Sequence, residues 1–141
     1  MARTFQELDV WQYAMDLAVQ IGGLVEKFPR DHRWLADQLM RASESAPSNI
    51  AEGFERRLSG DFCRFLHIAK ASIGETETHL EYARRRHLVE EDECRRFAGE
   101  CERIKKMLNS LISYLLAHPA VQRRTSKPTT NQEPRTRNHE P

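Results

Sequence analysis

A proline stands inside a segment whose apolar spacing is otherwise that of one long helix. Leu35, Leu39, Ala42, Ala46, Ile50 and Phe54 recur at steps of three and four, which writes a single helical face straight through Pro47. Pro47 has no amide proton to offer the Ser43 carbonyl, and its ring crowds that carbonyl, at a cost of about 3 kcal/mol or more. Ser43, Ser45, Ser48 and Asn49 surround it with short polar side chains that can satisfy the backbone groups a kink frees. The spacing therefore predicts a proline-kinked helix in which Pro47, Asn49, Glu52 and Gly53 form a structural motif. In it Asn49 bonds backbone near the proline, and Glu52 pairs with an arginine or caps a neighbouring helix.

Three further stripes follow the same period. Leu8, Trp11, Ala14, Met15, Ala18, Ile21, Val25 and Phe28 make the first, stopped by Phe28-Pro29, since a residue before proline is pushed out of the helical region. Phe62, Phe65, Leu66, Ala69, Ile73, Thr76, Leu80 and Ala83 make the third, with Ser59 as its expected cap and Asp61 in its first turn. The fourth opens in the acidic run Glu90-Glu91-Asp92-Glu93 and continues through Cys94, Phe97, Cys101, Ile104, Leu108, Leu111, Ile112 and Leu115 to His118-Pro119. No alternating β-branched stretch competes. Short connections oblige neighbouring helices to run antiparallel, so the expected fold is an all-α, up-down-up-down four-helix bundle over residues 1–117. From residue 118 to 141 apolar residues nearly vanish, and the composition predicts a disordered basic tail.

Size and composition narrow the function classes. A chain of 141 residues is one domain by length. No run approaches the roughly 20 apolar residues that a membrane span needs. Nothing at the amino end reads as a signal peptide, and Cys63, Cys94 and Cys101 are odd in number without paired spacing. The expectation is a cytoplasmic protein with reduced thiols serving as small core hydrophobes. Residues 1–117 carry 17 Lys and Arg against 19 Asp and Glu, whereas residues 118–141 carry 5 against 2. The folded part is therefore slightly acidic.

Catalysis has no visible carrier. A di-iron bundle needs Glu-x-x-His on two helices, but Glu75 and His79 are four apart and no second copy exists. Glu77 and Glu81 have the spacing of carboxylates that pair along a helix, with Arg84 and Arg85 at hand. His67, between Leu66 and Ile68, reads as a rim residue. No phosphate loop, His-Glu-x-x-His or nucleophile elbow occurs, so no catalytic residue, metal ligand or cofactor is assigned. Gly22-Gly23, inside the first helix, reads as a close-packing notch.

Function is expected on the faces left over. Trp11, Tyr13, Leu17 and Leu24 spread round more than one side of the first helix, and Trp34 and Met40 lie off the main stripe of the second. A stripe wider than one core predicts a second apolar seam buried between subunits, with Trp11, Tyr13, Trp34 and Met40 as candidate interface residues. Arginine beside aromatics suits both protein interfaces and nucleic-acid surfaces, which nominates Arg41, Arg56, Arg57 and Arg64 as candidate nucleic-acid contacts. Arg84-Arg85-Arg86 is explained by a helix carboxyl end. Arg95, Arg96, Arg103, Lys105 and Lys106, interleaved with Glu100 and Glu102, read as a solvated face of i, i+4 pairs.

Several elements together resemble a known family. They are Phe5-x-x-Leu8-x-Val10-Trp11-Gln12-x-Ala14, Gln38-Leu39-x-Arg41-Ala42, and Pro47-x-Asn49-Ile50-Ala51-Glu52-Gly53-Phe54. After these come Arg57, Asp61-Phe62-x-Arg64-Phe65-Leu66-x-Ile68-Ala69 and Glu75-x-Glu77-Thr78. Over about residues 5–116 the chain resembles the four-helix-bundle proteins of bacterial 23S ribosomal RNA intervening sequences, related to the Avd accessory proteins of diversity-generating retroelements. The resemblance implies a cytosolic bundle assembling into a ring, commonly a homopentamer, and implies no established enzymatic activity. For the Avd relatives it implies binding of nucleic acid and of a reverse transcriptase. Two roles follow as expectations: a scaffold for RNA or an RNA-associated protein, or the accessory partner of a single protein without nucleic-acid contact. Val89 departs from the family pattern, which has a capping Ser or Asp there.

Overall fold

The structure, a computed structural model, describes residues 2–119, so the expectation for the tail beyond Pro119 lies outside the described residues. A 3-10 turn at Phe5–Glu7 leads into α1 (Asp9–Val25), and a second at Arg30–His32 leads into α2 (Arg33–Glu55). Two long helices, α3 (Ser59–Arg85) and α4 (Glu91–Ala117), complete an all-α four-helix bundle with no strand among the described residues. Contacts between α2 and α3 run in opposite chain directions: Trp34 meets Tyr82, Arg41 meets Glu75, Ser45 meets Ser72, and Phe54 meets Phe62. The α1–α4 contacts do likewise, with Gln20 against Arg96 and Tyr13 against Arg103.

The apolar stripes meet in one core. Ala14, Ile21, Leu35, Leu39, Ile50, Leu66, Ile73, Ile104 and Leu108 are fully buried. Removing a large member such as Phe62 or Phe97 would cost about 3–5 kcal/mol in lost transfer energy and cavity. Leu17 and Leu24, expected in a second seam, belong to this core at 1% and 4% exposure. The reason is that α1 touches both α2 and α4, so its buried arc is wider than a single stripe. Ile68 lies outside this core and is 39% exposed on α3.

Pro47 is buried within α2, and the helix runs without a break from Arg33 to Glu55. Six residues on, Gly53 sets the distance between α2 and α3. A Cβ there would stand 2.7 Å from Phe65 Cβ and 3.1 Å from Phe62 Cδ1. Gly22 and Gly23 play no such part, since a Cβ on either meets nothing within 4 Å. The close-packing notch expected at Gly22-Gly23 is therefore at Gly53, because there the root of Phe65 and the ring and carbonyl of Phe62 on α3 fill the space a Cβ would need.

Helix ends also differ from the sequence expectation. Ser59 is the first residue of α3 and its Oγ donates to the Pro119 carbonyl at 3.2 Å, while Leu58 occupies the cap position. Val89 is not the cap of α4 either; Glu90 is, and Val89 is buried at 5% exposure. Val89 before the cap and Cys94 in the first turn are both buried, the pattern of a hydrophobic staple. At the end of α3 the Leu88 amide donates to the Ala83 carbonyl and the His87 amide to the Arg84 carbonyl, each at 2.9 Å. These are the two bonds of a Schellman ending, with His87 at φ 59 where glycine is usual.

Candidate functional site

The outer seam between α2 and α3 carries most of the residues singled out by sequence. At one end, Trp34 and Tyr82 form an edge-to-face pair with ring centroids 5.5 Å apart, and they remain 51% and 42% exposed. Below them Arg41 bonds Glu75 across the seam and donates to Gln38 Oε1 at 3.0 Å along its own helix. His79 stands beside this pair, its Nε2 3.7 Å from Glu75 Oε1, buried and without a hydrogen-bond partner among the described residues.

In the middle of the seam a chain of hydrogen bonds ties the helices together. Asn49 Nδ2 donates to the Ser45 carbonyl at 2.8 Å and to Ser45 Oγ at 3.0 Å. Ser45 Oγ and Ser72 Oγ are 2.9 Å apart, and Ser72 Oγ is 3.0 Å from the Ile68 carbonyl. Each hydroxyl has one proton, so the order that satisfies every group is Asn49 to Ser45, Ser45 to Ser72, Ser72 to Ile68. Asn49 thus serves the Ser45 carbonyl, not the Ser43 carbonyl that Pro47 leaves without a donor. Ser43 turns its own hydroxyl to the Met40 carbonyl at 3.2 Å.

At the far end two guanidinium groups flank one ring. Arg56 and Arg64 stand 5.3 Å and 4.7 Å from the Phe65 centroid. Glu52 accepts from Arg56 Nε at 3.0 Å, and Asp61 lies 3.9 Å from Arg64. The nominated arginines are therefore not one cluster. Arg56 and Arg64 share Phe65, Arg57 sits at the α2–α3 corner with φ 59, and Arg41 is 15 positions up α2, roughly 22 Å away at 1.5 Å per residue. Arg41, Arg56 and Arg64 each hold a carboxylate already.

The interface candidates separate in the same way. Trp11 is half-buried, packed on the core edge with its ring 5.2 Å from Phe5, and Tyr13 is half-buried under Arg103 at 4.5 Å. Trp34 and Met40 are exposed, Met40 at 48%. Sequence reasoning missed Tyr82 and Ser72, and read Phe65 as a member of the α3 stripe without its place between Arg56 and Arg64. Tyr82 lies off the α3 stripe as Trp34 lies off the α2 stripe, and that shared signal was there to be read. The others became visible only through their neighbours on α2.

Electrostatics elsewhere are local. Hydrogen bonds from Arg84 and Arg85 hold the Glu81 carboxyl down to about 2, and Glu81 in turn raises Arg84. Glu77, expected to pair with arginines, instead accepts from Lys105 on α4 at 2.9 Å, which raises the ammonium. The solvated face expected on α4 is thus split: Lys105 ties to α3, Arg95 lies near Glu91 and Asp92, Arg96 donates to Gln20 and Arg103 covers Tyr13. Burial pushes the Cys101 thiol up to about 12 and raises Cys63 and Cys94. No group of three or more His, Cys, Asp or Glu side chains able to hold a metal occurs among the described residues. No helix among them is long and apolar enough to cross a membrane.

Comparison with known proteins places this geometry. A crystal structure of a protein with unknown function from the S23 ribosomal protein family of Bacteroides thetaiotaomicron is similar, with TM-score 0.68 and 26% identity over 73% of this chain and 97% of that one. Comparison with curated proteins gives no match. The sequence profile described as 23S rRNA-intervening sequence protein matches residues 6–110, which include α1, α2 and α3, the whole α2–α3 seam and α4 as far as Ser110. The chain belongs to the 23S rRNA-intervening sequence protein family.

Proposed function

We propose that this protein is a non-enzymatic, cytoplasmic scaffold that assembles into a ring, a homopentamer by the habit of the bundles it resembles, and presents that ring to RNA or an RNA-associated protein. The observation that carries the reading is the exposed aromatic ridge of Trp34 and Tyr82, with Met40 exposed nearby on α2. Trp, Tyr and Met are the residue types enriched in buried interface centres, and leaving them in water in an isolated chain forfeits their burial energy. Sedimentation of the purified chain at micromolar concentration tests the assembly, and a monomer rejects it. Binding of 23S ribosomal RNA fragments across a salt series, by wild type and by Arg56→Ala/Arg57→Ala, tests the partner. Phosphate contacts predict a steep salt dependence that the variant weakens. An equal, salt-insensitive signal in both rejects them.

One observation favours the second reading, an accessory partner of a single protein such as a reverse transcriptase without nucleic-acid contact. Arg41, Arg56 and Arg64 are each paired with a carboxylate, and the described part of the chain is slightly acidic by count. Phosphate would have to displace those carboxylates, whereas a protein partner accepts the neutral face as it stands. Co-purification of a reverse transcriptase with the wild type, lost on Trp34→Ala, supports this reading. Retention of the RNA signal after removal of that protein rejects it.

A further inference from the structure

Trp34 lies between two features on opposite flanks of α2. One flank holds the convex ridge of Trp34 and Tyr82, stiffened by their edge-to-face contact. The other opens into a groove of about 570 Å³ between α1 and α2, lined by Val19, Gly22, Gly23, Phe28, Arg33 and Met40 among others. Volumes of about 300–1,000 Å³ accept drug-sized groups, so an aromatic pair fits such a space. Val19 is 67% exposed and Met40 48%, which leaves apolar surface on both rims. The absence of side chains at Gly22 and Gly23 keeps the floor open, although alanine is the better helix former at both positions.

We propose that the Trp34–Tyr82 ridge of one copy seats in the α1–α2 groove of the next, over Gly22 and Gly23; this rests on the ring reading above. The occupant is a second copy because ridge and groove stand at the same height. Trp34 falls within the turn that also supplies Arg33, Ala36 and Asp37 to the groove. A head-to-tail contact between parallel copies needs two different faces at one level of the bundle, and repetition of that contact gives a ring when the rotation from copy to copy closes. Charge is compatible with the fit. Among the described residues Glu26 and Asp37 on the groove have no cation within 4.0 Å, and Arg86, one turn beyond Tyr82, has no carboxylate within that distance. Arg30 and Arg33 share the groove rim, so apolar contact rather than net charge carries the association.

The test uses the full chain in three forms at micromolar concentration: wild type, Gly23→Trp to fill the groove, and Trp34→Ser/Tyr82→Ser to remove the ridge. A Cβ at Gly23 meets nothing within 4 Å and Gly23 is exposed, so a side chain added there starts outside the core. Helix content by circular dichroism checks folding, and Val19→Arg replaces Gly23→Trp if that variant fails to fold. The expected result is an assembled wild type and two variants that each associate at least tenfold more weakly. Mixed in equal amounts, the variants should give a one-to-one dimer and nothing larger, since only one intact ridge and one intact groove remain between them. Variants as assembled as wild type, or a mixture that stays monomeric, overturn the seating while leaving the ring standing. A monomeric wild type overturns both.

Discussion

A methyl group on Gly53 would stand 2.7 Å from the Cβ of Phe65. Real Cβ contacts do not come that close, and the neighbouring atom belongs to the root of a side chain, which cannot swing away. Gly53 thereby fixes how near α2 comes to α3, and through that distance the reach of every pair along their seam.

The first prediction follows directly. Gly53→Ala should destabilise the fold by about 1–3 kcal/mol through overpacking, despite the roughly 1 kcal/mol that alanine gains as a helix former. Gly74→Ala, where the added Cβ meets nothing within 4 Å, should stabilise by about 1 kcal/mol. Denaturant unfolding of the two variants decides it, and equal shifts in the same direction would refute the account.

The hydrogen-bond chain predicts unequal and coupled losses. Asn49→Ala leaves the Ser45 hydroxyl without its donor and should cost about 1–3 kcal/mol. Ser45→Ala and Ser72→Ala should not add, because either one removes the 2.9 Å contact between α2 and α3. A double-mutant cycle with no coupling energy would show that the two hydroxyls act independently.

Acid should expose the Glu81 pair. Arg84 and Arg85 hold that carboxyl at about 2, below its usual 4.5, so the pair contributes stability above pH 4.5. That contribution is lost progressively as pH falls from 4.5 towards 2. The group faces solvent, so the effect is small and shrinks with salt. Acid unfolding at low ionic strength should be shallower over this window in Glu81→Gln than in wild type, and parallel curves would contradict the pairing.

Thiol chemistry gives a fourth test. Cys101 is fully buried and its thiol is pushed up to about 12, while Cys63 keeps 9% exposure. At pH 8 the native protein should react with a thiol reagent first at Cys63 and last at Cys101, and denaturant should equalise the rates. Rapid native labelling of Cys101 would mean that the core opens there. The folded state also loses ground as pH rises above 9, because unfolding releases a thiol that ionises more easily.

His87 supplies the last. It occupies the left-handed ending of α3 at φ 59, a position costing about 1–2 kcal/mol for a residue with a Cβ. His87→Gly should raise the unfolding midpoint, and a lower midpoint would show that the imidazole makes a compensating contact.

Much of this molecule is written in local periodicity. The steps of three and four from Leu35 to Phe54, and again from Cys94 to Leu115, name the core residues because a helix returns to the same face every 3.6 residues. The stops at Phe28-Pro29 and His118-Pro119 are equally local, and so is the exposure of Trp34 and Met40, which lie off their stripe. The pairings across helices are of another kind. That Trp34 meets Tyr82, that Arg41 meets Glu75 rather than phosphate-bearing solvent, and that Gly53 rather than Gly22 is the point of close approach depend on the register between α2 and α3. Register is a sum over all the contacts of two helices, whereas sequence periodicity describes each helix only to itself. The sequence alone therefore determined the main inward stripe of each helix; the tertiary structure decided how far the buried arc of α1 widens to take in Leu17 and Leu24, and which outward side chains touch, because those choices are made by packing between segments distant along the chain.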